Sequence, residues 1–92
     1  MSLTVRIPTQ LRTLTGGAGE VEVDGATVGE ALTQLDAAHP GLADRLFDES
    51  GQLRRFVNVF LADEDVRFLE GLATPIADGQ TLSIVPAVAG GS

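Results

Sequence analysis

TGGAGEVEVDGATVGEALTQL, residues 15–35, decides the fold. Thr15-Gly16-Gly17-Ala18-Gly19 reads as a turn, and Glu20-Val21-Glu22-Val23 alternates charged and apolar residues as a half-buried strand does. Asp24-Gly25 turns the chain again. Thr27 then suits a helix N-cap, with Glu30 three residues on to complete a capping box. Val28, Ala31, Leu32 and Leu35 recur at helical spacing on one face. Upstream, Leu3, Val5 and Ile7 alternate with Thr4 and Arg6 until Pro8 closes the run, so this strand and residues 20–23 should pair as a hairpin.

Downstream, the helix should end near Ala38, because His39-Pro40-Gly41 disfavours continuation. Leu42, Leu46 and Phe47 suggest a further short helical turn, and Asp48-Glu49-Ser50-Gly51 a polar loop. From Arg55 to Leu61 the sequence reads as a strand, with Val57, Val59 and Leu61 on one face and Phe56, Asn58 and Phe60 on the other. Asp63-Glu64-Asp65 reads as an acidic turn before a short segment around Val66 and Phe68. Ala77-Asp78-Gly79-Gln80 is another turn, leading into a strand over 81–85 that Pro86 ends. The order is strand, strand, helix, strand, short strand, strand. One main helix packed across a mixed sheet of four to five strands buries these faces most economically, which is the α+β architecture of the β-grasp, the ubiquitin-like fold. The expected division is a β-grasp domain over 1–86 and a flexible C-terminal tail over 87–92.

Composition narrows the chemistry. With 92 residues the chain is one domain. It has no Cys and one His, His39, which removes disulfides, iron–sulfur clusters, thiol nucleophiles and any site built on several imidazoles. No apolar run reaches the roughly 20 residues a membrane span needs, and MSLTVRIPTQ lacks the features of a signal peptide, so a cytoplasmic address is expected. The formal charge is −7, and all six basic residues are Arg. Such a surface should repel nucleic acid and anionic membranes and favour a basic partner. No catalytic residues are expected.

The tail carries the functional signal. Ala87, Val88, Ala89, Gly90 and Gly91 add little to a core but extend roughly 17 Å, enough to enter a deep site on a partner. Two adjacent glycines have no Cβ, and ordering them costs up to about 2 kcal/mol each, so a steric need for bare backbone accounts for them best. Beside this stands the reading of Gly-Gly-Ser as a plain linker, with Ser92 a native residue or a cloning scar.

A β-grasp pattern followed by Gly90-Gly91 resembles the ThiS, MoaD and ubiquitin family. Residues 55–59, 63–68, 71–74 and 86–91 (RFVNV, DEDVRF, GLAT and PAVAGG) are most similar to the carriers of bacterial cysteine synthesis within it. That resemblance implies a sulfur carrier. An E1-like enzyme would adenylate Gly91 with ATP, and sulfide or a persulfide would then leave a thiocarboxylate. A PLP-dependent cysteine synthase, or another sulfur-accepting synthase, would take the sulfur, and a JAMM-type zinc metalloprotease would release the product. ATP, PLP and zinc would belong to the partners, none to this chain. Molybdopterin, thiazole or thiosugar synthesis are alternative acceptors; a lysine-directed protein modifier and an inert-tailed interaction module are the rival roles. Ser92 departs from the family's terminal Gly-Gly and would have to be removed before activation.

By analogy with ubiquitin-like domains, Phe60 and Val85 should lie together on the outer sheet face as a partner surface, unless a loop covers Phe60. Asp63, Glu64 and Asp65 lack the spacing of a calcium loop and read as a solvated turn, so no metal is expected. His39 reads as a helix end. Arg54 and Arg55 suit either an acidic partner or solvent.

Overall fold

The computed structural model describes residues 2–55 and 57–86. Residues 87–92, and Phe56, on which part of the sequence reading falls, lie outside the described residues. Five strands form one sheet in the order β2-β1-β5-β3-β4. They are β1 (Ser2–Arg6), β2 (Glu20–Asp24), β3 (Val57–Leu61), β4 (Glu64–Asp65) and β5 (Thr81–Pro86). Helices α1 (Val28–Ala38) and α2 (Leu42–Leu46) follow β2.

The expected hairpin is present, with Leu3 opposite Val23 and Val5 opposite Val21. β1 also pairs with β5 in parallel, Val5 beside Leu82, and β3 runs antiparallel to β5 with Val59 beside Ile84. These apolar partners share one face of the sheet because side chains alternate along each strand. On that face α1 buries Val28, Ala31, Leu32 and Leu35, and Leu42, Leu46, Val66 and Ile76 complete the core. Fully burying each such side chain contributes roughly 1.5–3 kcal/mol.

Local chemistry sets the start of α1. Thr27 is its N-cap, and its hydroxyl accepts from the Glu30 amide at 3.2 Å. The Glu30 carboxylate reaches back to the Ala26 amide at 3.2 Å, one residue earlier than a standard capping box would place it. The preceding turn needs a glycine for lack of space: a Cβ on Gly25 would meet the Ala31 nitrogen at 2.8 Å. At the other end, the His39 amide donates to Leu35 O and closes the helix before Pro40.

Four details differ from the sequence reading. Thr9–Thr15 forms a 3₁₀ helix that ends at Gly16 in the left-handed region, and Gly71–Ala73 forms another short one. Of the strand read over 55–61, Val57–Leu61 forms β3 and Arg55 lies in a turn, with the Val57 amide donating to Arg54 O. The acidic segment is only partly a turn: Ala62, at φ 57°, and Asp63 turn the chain, whereas Glu64 and Asp65 pair with Leu61 and Phe60. Pro86 is the last residue of β5, opposite Val57, and with no N–H to donate it ends the ladder there.

Thr27→Ala should lower stability by about 1 kcal/mol in urea denaturation, the usual worth of an N-cap hydroxyl. Gly25→Ala should cost about 1–3 kcal/mol, since the added methyl meets helix backbone that cannot rotate aside.

Candidate functional site

β5 occupies the middle of the sheet, between β1 and β3, and its last residue, Pro86, lies opposite Val57 of β3. The residues proposed to carry chemistry, Gly91 with Ala87, Val88, Ala89 and Gly90, and the residue to be removed, Ser92, lie outside the described residues. What the structure supplies is the body from which they depart.

On the outer sheet face, Phe60 stands opposite Ser83, and Val85 stands opposite Asn58. Phe60 and Val85 are thus diagonal neighbours on adjacent strands, within reach of one another. Phe60 is half-buried and Val85 is 44% exposed. The pair therefore lies where the sequence reading put it, with Val85 the more accessible member.

The sequence reading missed the edge of β3. Among the described residues, β4 pairs only with Phe60 and Leu61, and no strand flanks the start of β3 on that side. Arg67 takes the strand's place. Its Nη2 donates to Val57 O and Arg54 O, each at 2.7 Å, and its Nη1 donates to Asn58 Oδ1 at 2.8 Å. Charge-assisted bonds of this kind are the stronger class, and they fix the edge at Val57, directly opposite Pro86. Arg54 in turn donates Nε and Nη2 to Asp44 O at 3.1 and 2.9 Å, tying β3's approach to α2. The loop before it is held by Asp48, which accepts from the Ser50 hydroxyl at 2.6 Å and from the Ser50 and Gln52 amides. The Ser50 hydroxyl, then the Gln52 amide, hold its carboxyl below the usual aspartate range. That support is complete above the unfolded-state pKa and is lost as pH falls through the lowered folded one.

The residue after Arg67 also escaped the sequence reading. Phe68 is 85% exposed and Leu69 39%, although Val66 beside them is fully buried. A three-residue 3₁₀ turn, Val66–Phe68, separates them, and no periodicity in so short a segment signals which side chain faces out.

Other candidates gather no chemistry. No set of three or more His, Asp or Glu among the described residues is grouped to hold a metal ion. His39 caps α1. A groove of about 870 Å³ on the helical side is lined by Gly29, Thr33, Ala43, Phe47 and Leu72, among others. No helix among the described residues is long and apolar enough to cross a membrane.

A central β5 leading out of a ubiquitin-like sheet defines a class, and comparison with known proteins places the chain in it. Residues 5–91 match the model of the ThiS family, and the chain belongs to that family. The sulfur carrier protein CysO of Mycobacterium tuberculosis is 53% identical over 93 residues, covering 99% of this chain and 100% of the relative. Small archaeal modifier protein 3 of Haloferax volcanii is 46% identical over 68 residues, 74% of this chain and 73% of the relative. A chain in the crystal structure of the Amycolatopsis orientalis BexX/CysO complex superposes with a TM-score of 0.91 at 53% identity, covering 97% of this chain and 99% of that one.

If the outer face receives a partner, Val85→Asp should weaken binding to an E1-like activating enzyme by about tenfold or more, the range of a truncated interface anchor. Its melting temperature should hardly change. Phe60→Asp should do the same at some cost in stability, because Phe60 is half-buried. Unchanged affinity in both, measured by titration calorimetry, would remove the face from the interface.

Proposed function

We propose that this chain is a sulfur carrier whose Gly91 carboxylate is activated and converted to a thiocarboxylate, for cysteine biosynthesis. The observation that carries the proposal is 53% identity to CysO, a sulfur carrier protein, along essentially the whole chain. The chain acts as a protein substrate and contributes no catalytic group of its own.

The steps follow from the chemistry of a carboxylate. A Gly91 carboxylate oxygen attacks the α-phosphorus of ATP in an E1-like enzyme, and pyrophosphate leaves. Sulfide then attacks the acyl carbon and expels AMP; where the terminal sulfur of a persulfide attacks instead, a second thiol must cleave the resulting acyl disulfide, leaving with the other sulfur as a disulfide. The product is a thiocarboxylate, a sulfur nucleophile that stays tethered to the carrier. A PLP-dependent cysteine synthase receives it, and a JAMM-type zinc metalloprotease frees the product from the carrier, with PLP and zinc held by those enzymes. The cytoplasm supplies the ATP. An enzyme site deep enough to shield the acyl adenylate from water needs a slim substrate, which two glycines provide.

The match to a small archaeal modifier protein favours one second reading, a ubiquitin-like modifier joined to the lysines of other proteins. Both readings use the same activated Gly91. They part at the acceptor, so isopeptide adducts in cells would favour the modifier.

Protein ending at Gly91, incubated with ATP, sulfide and an E1-like enzyme, should gain the mass of sulfur replacing oxygen. Protein still carrying Ser92 should show no gain, because its Gly91 carbonyl is locked in a peptide bond. Equal gain by both forms would sink the assignment of Gly91. Full partner binding by protein truncated before Gly90 would support a plain interaction module instead.

A further inference from the structure

Val85 does not stand alone on the outer sheet face. Asn58 and Val85 are direct partners across β3 and β5, and Phe60 and Ser83 are the next pair on that face. Side-chain alternation brings all four to the same side of the sheet. Phe60 and Val85 lie on one diagonal of this square, and two polar groups, Asn58 and Ser83, lie on the other.

The polar pair differ in how firmly they are held. The Ser83 hydroxyl makes no hydrogen bond among the described residues, and a hydroxyl rotates to suit its surroundings. Asn58 is braced. Arg67 Nη1 donates to its Oδ1 at 2.8 Å, and Nη2 of the same guanidinium is fixed on Val57 O and Arg54 O, each at 2.7 Å. A guanidinium has donors and no acceptor, so the amide must offer it oxygen and turn Nδ2 away. That Nδ2 group has no acceptor among the described residues, and Asn58 is only half-buried.

Desolvation sets what this means for a partner. A surface that covers Val85 also covers Asn58, directly opposite it, and takes water from Nδ2. A buried donor left unpaired lowers affinity by about tenfold to a hundredfold. The Arg67 brace prevents the amide from swinging round to escape that penalty.

We infer that Asn58, braced by Arg67, is the donor through which the activating enzyme reads the outer sheet face: the enzyme sets an oxygen acceptor, a backbone carbonyl or a carboxylate, against Asn58 Nδ2 beside the apolar contact at Val85. The inference rests on the carrier reading and on the outer face as the docking face, and it adds the polar contact that selects the partner. An enzyme offering only an apolar patch would leave the donor unpaired and be rejected. Asn58 touches the partner, whereas Arg67 acts through Asn58 and is a positioning residue.

The test uses the full domain ending at Gly91 and the E1-like enzyme that gives the mass gain described above. Asn58→Asp is nearly isosteric and still presents oxygen to Arg67, now as an ion pair, so it should melt no lower than wild type. It removes the donor, so KM for the carrier should rise by at least about tenfold while kcat holds. If salt relieves that defect, the acceptor is a carboxylate repelled by the new charge; if not, it is a carbonyl. Arg67→Lys keeps the charge but loses the fork that grips three oxygens, and should raise KM less. Added to Asn58→Asp it should change KM little further, because both act on one donor. Wild-type KM in Asn58→Asp would overturn the inference whatever Val85→Asp does, as would a rise matched by a fall in melting temperature. Additive defects in the double variant would overturn the positioning role of Arg67. Absence of any mass gain in wild-type protein is a different result, and it would sink the carrier reading itself.

Discussion

Laying β5 parallel beside β1 forces most of what else is seen. Parallel neighbours cannot be joined by a tight turn, so the chain between them must cross the sheet, and α1 does so over its apolar face. Val5 and Leu82 meet at the centre of that pairing, both fully buried under the helix. β2 and β3 then take the two flanks, because each pairs antiparallel with one member of the central pair. Thus β5 lies inside the sheet, held by β1 over Thr81–Ser83 and by β3 as far as Pro86.

That position sets the start of β3 directly opposite Pro86, the last described residue. β4 is only two residues long and stops short of this point. Arg67 closes the gap with hydrogen bonds to backbone oxygens, which covers an otherwise open strand edge and leaves the charge available. One side chain serves packing and surface chemistry at once.

Features written in adjacent residues were legible in the sequence. The alternation of Leu3, Val5 and Ile7, the Thr27–Glu30 cap and the spacing of Val28 to Leu35 are local patterns, and each produced the element expected. The Phe60–Val85 pair was also legible, because strand alternation and the fold's register suffice to place it. Arg67 was not, since the oxygens it binds lie 9 to 13 residues away in the chain. The helix over Thr9–Thr15 was hidden for a similar reason. Its Thr15 is buried, and its hydroxyl bonds Arg12 O and Ala18 O, contacts that no alternation encodes. Glu64–Asp65 is too short to show a period and is a strand only because Phe60 and Leu61 lie beside it. Gly90-Gly91 stands out only as a motif, through the resemblance and not through packing, and lies outside the described residues.

The central position of β5 also bears on force. A partner that grips the chain beyond Pro86 and pulls along the strand does not peel hydrogen bonds off one at a time. It loads the ladders to β1 and β3 together, in shear, because both neighbours run alongside β5. The body is therefore built as an anchor: a load applied at the end of β5 is shared by both neighbouring strands while the domain behind it keeps its shape.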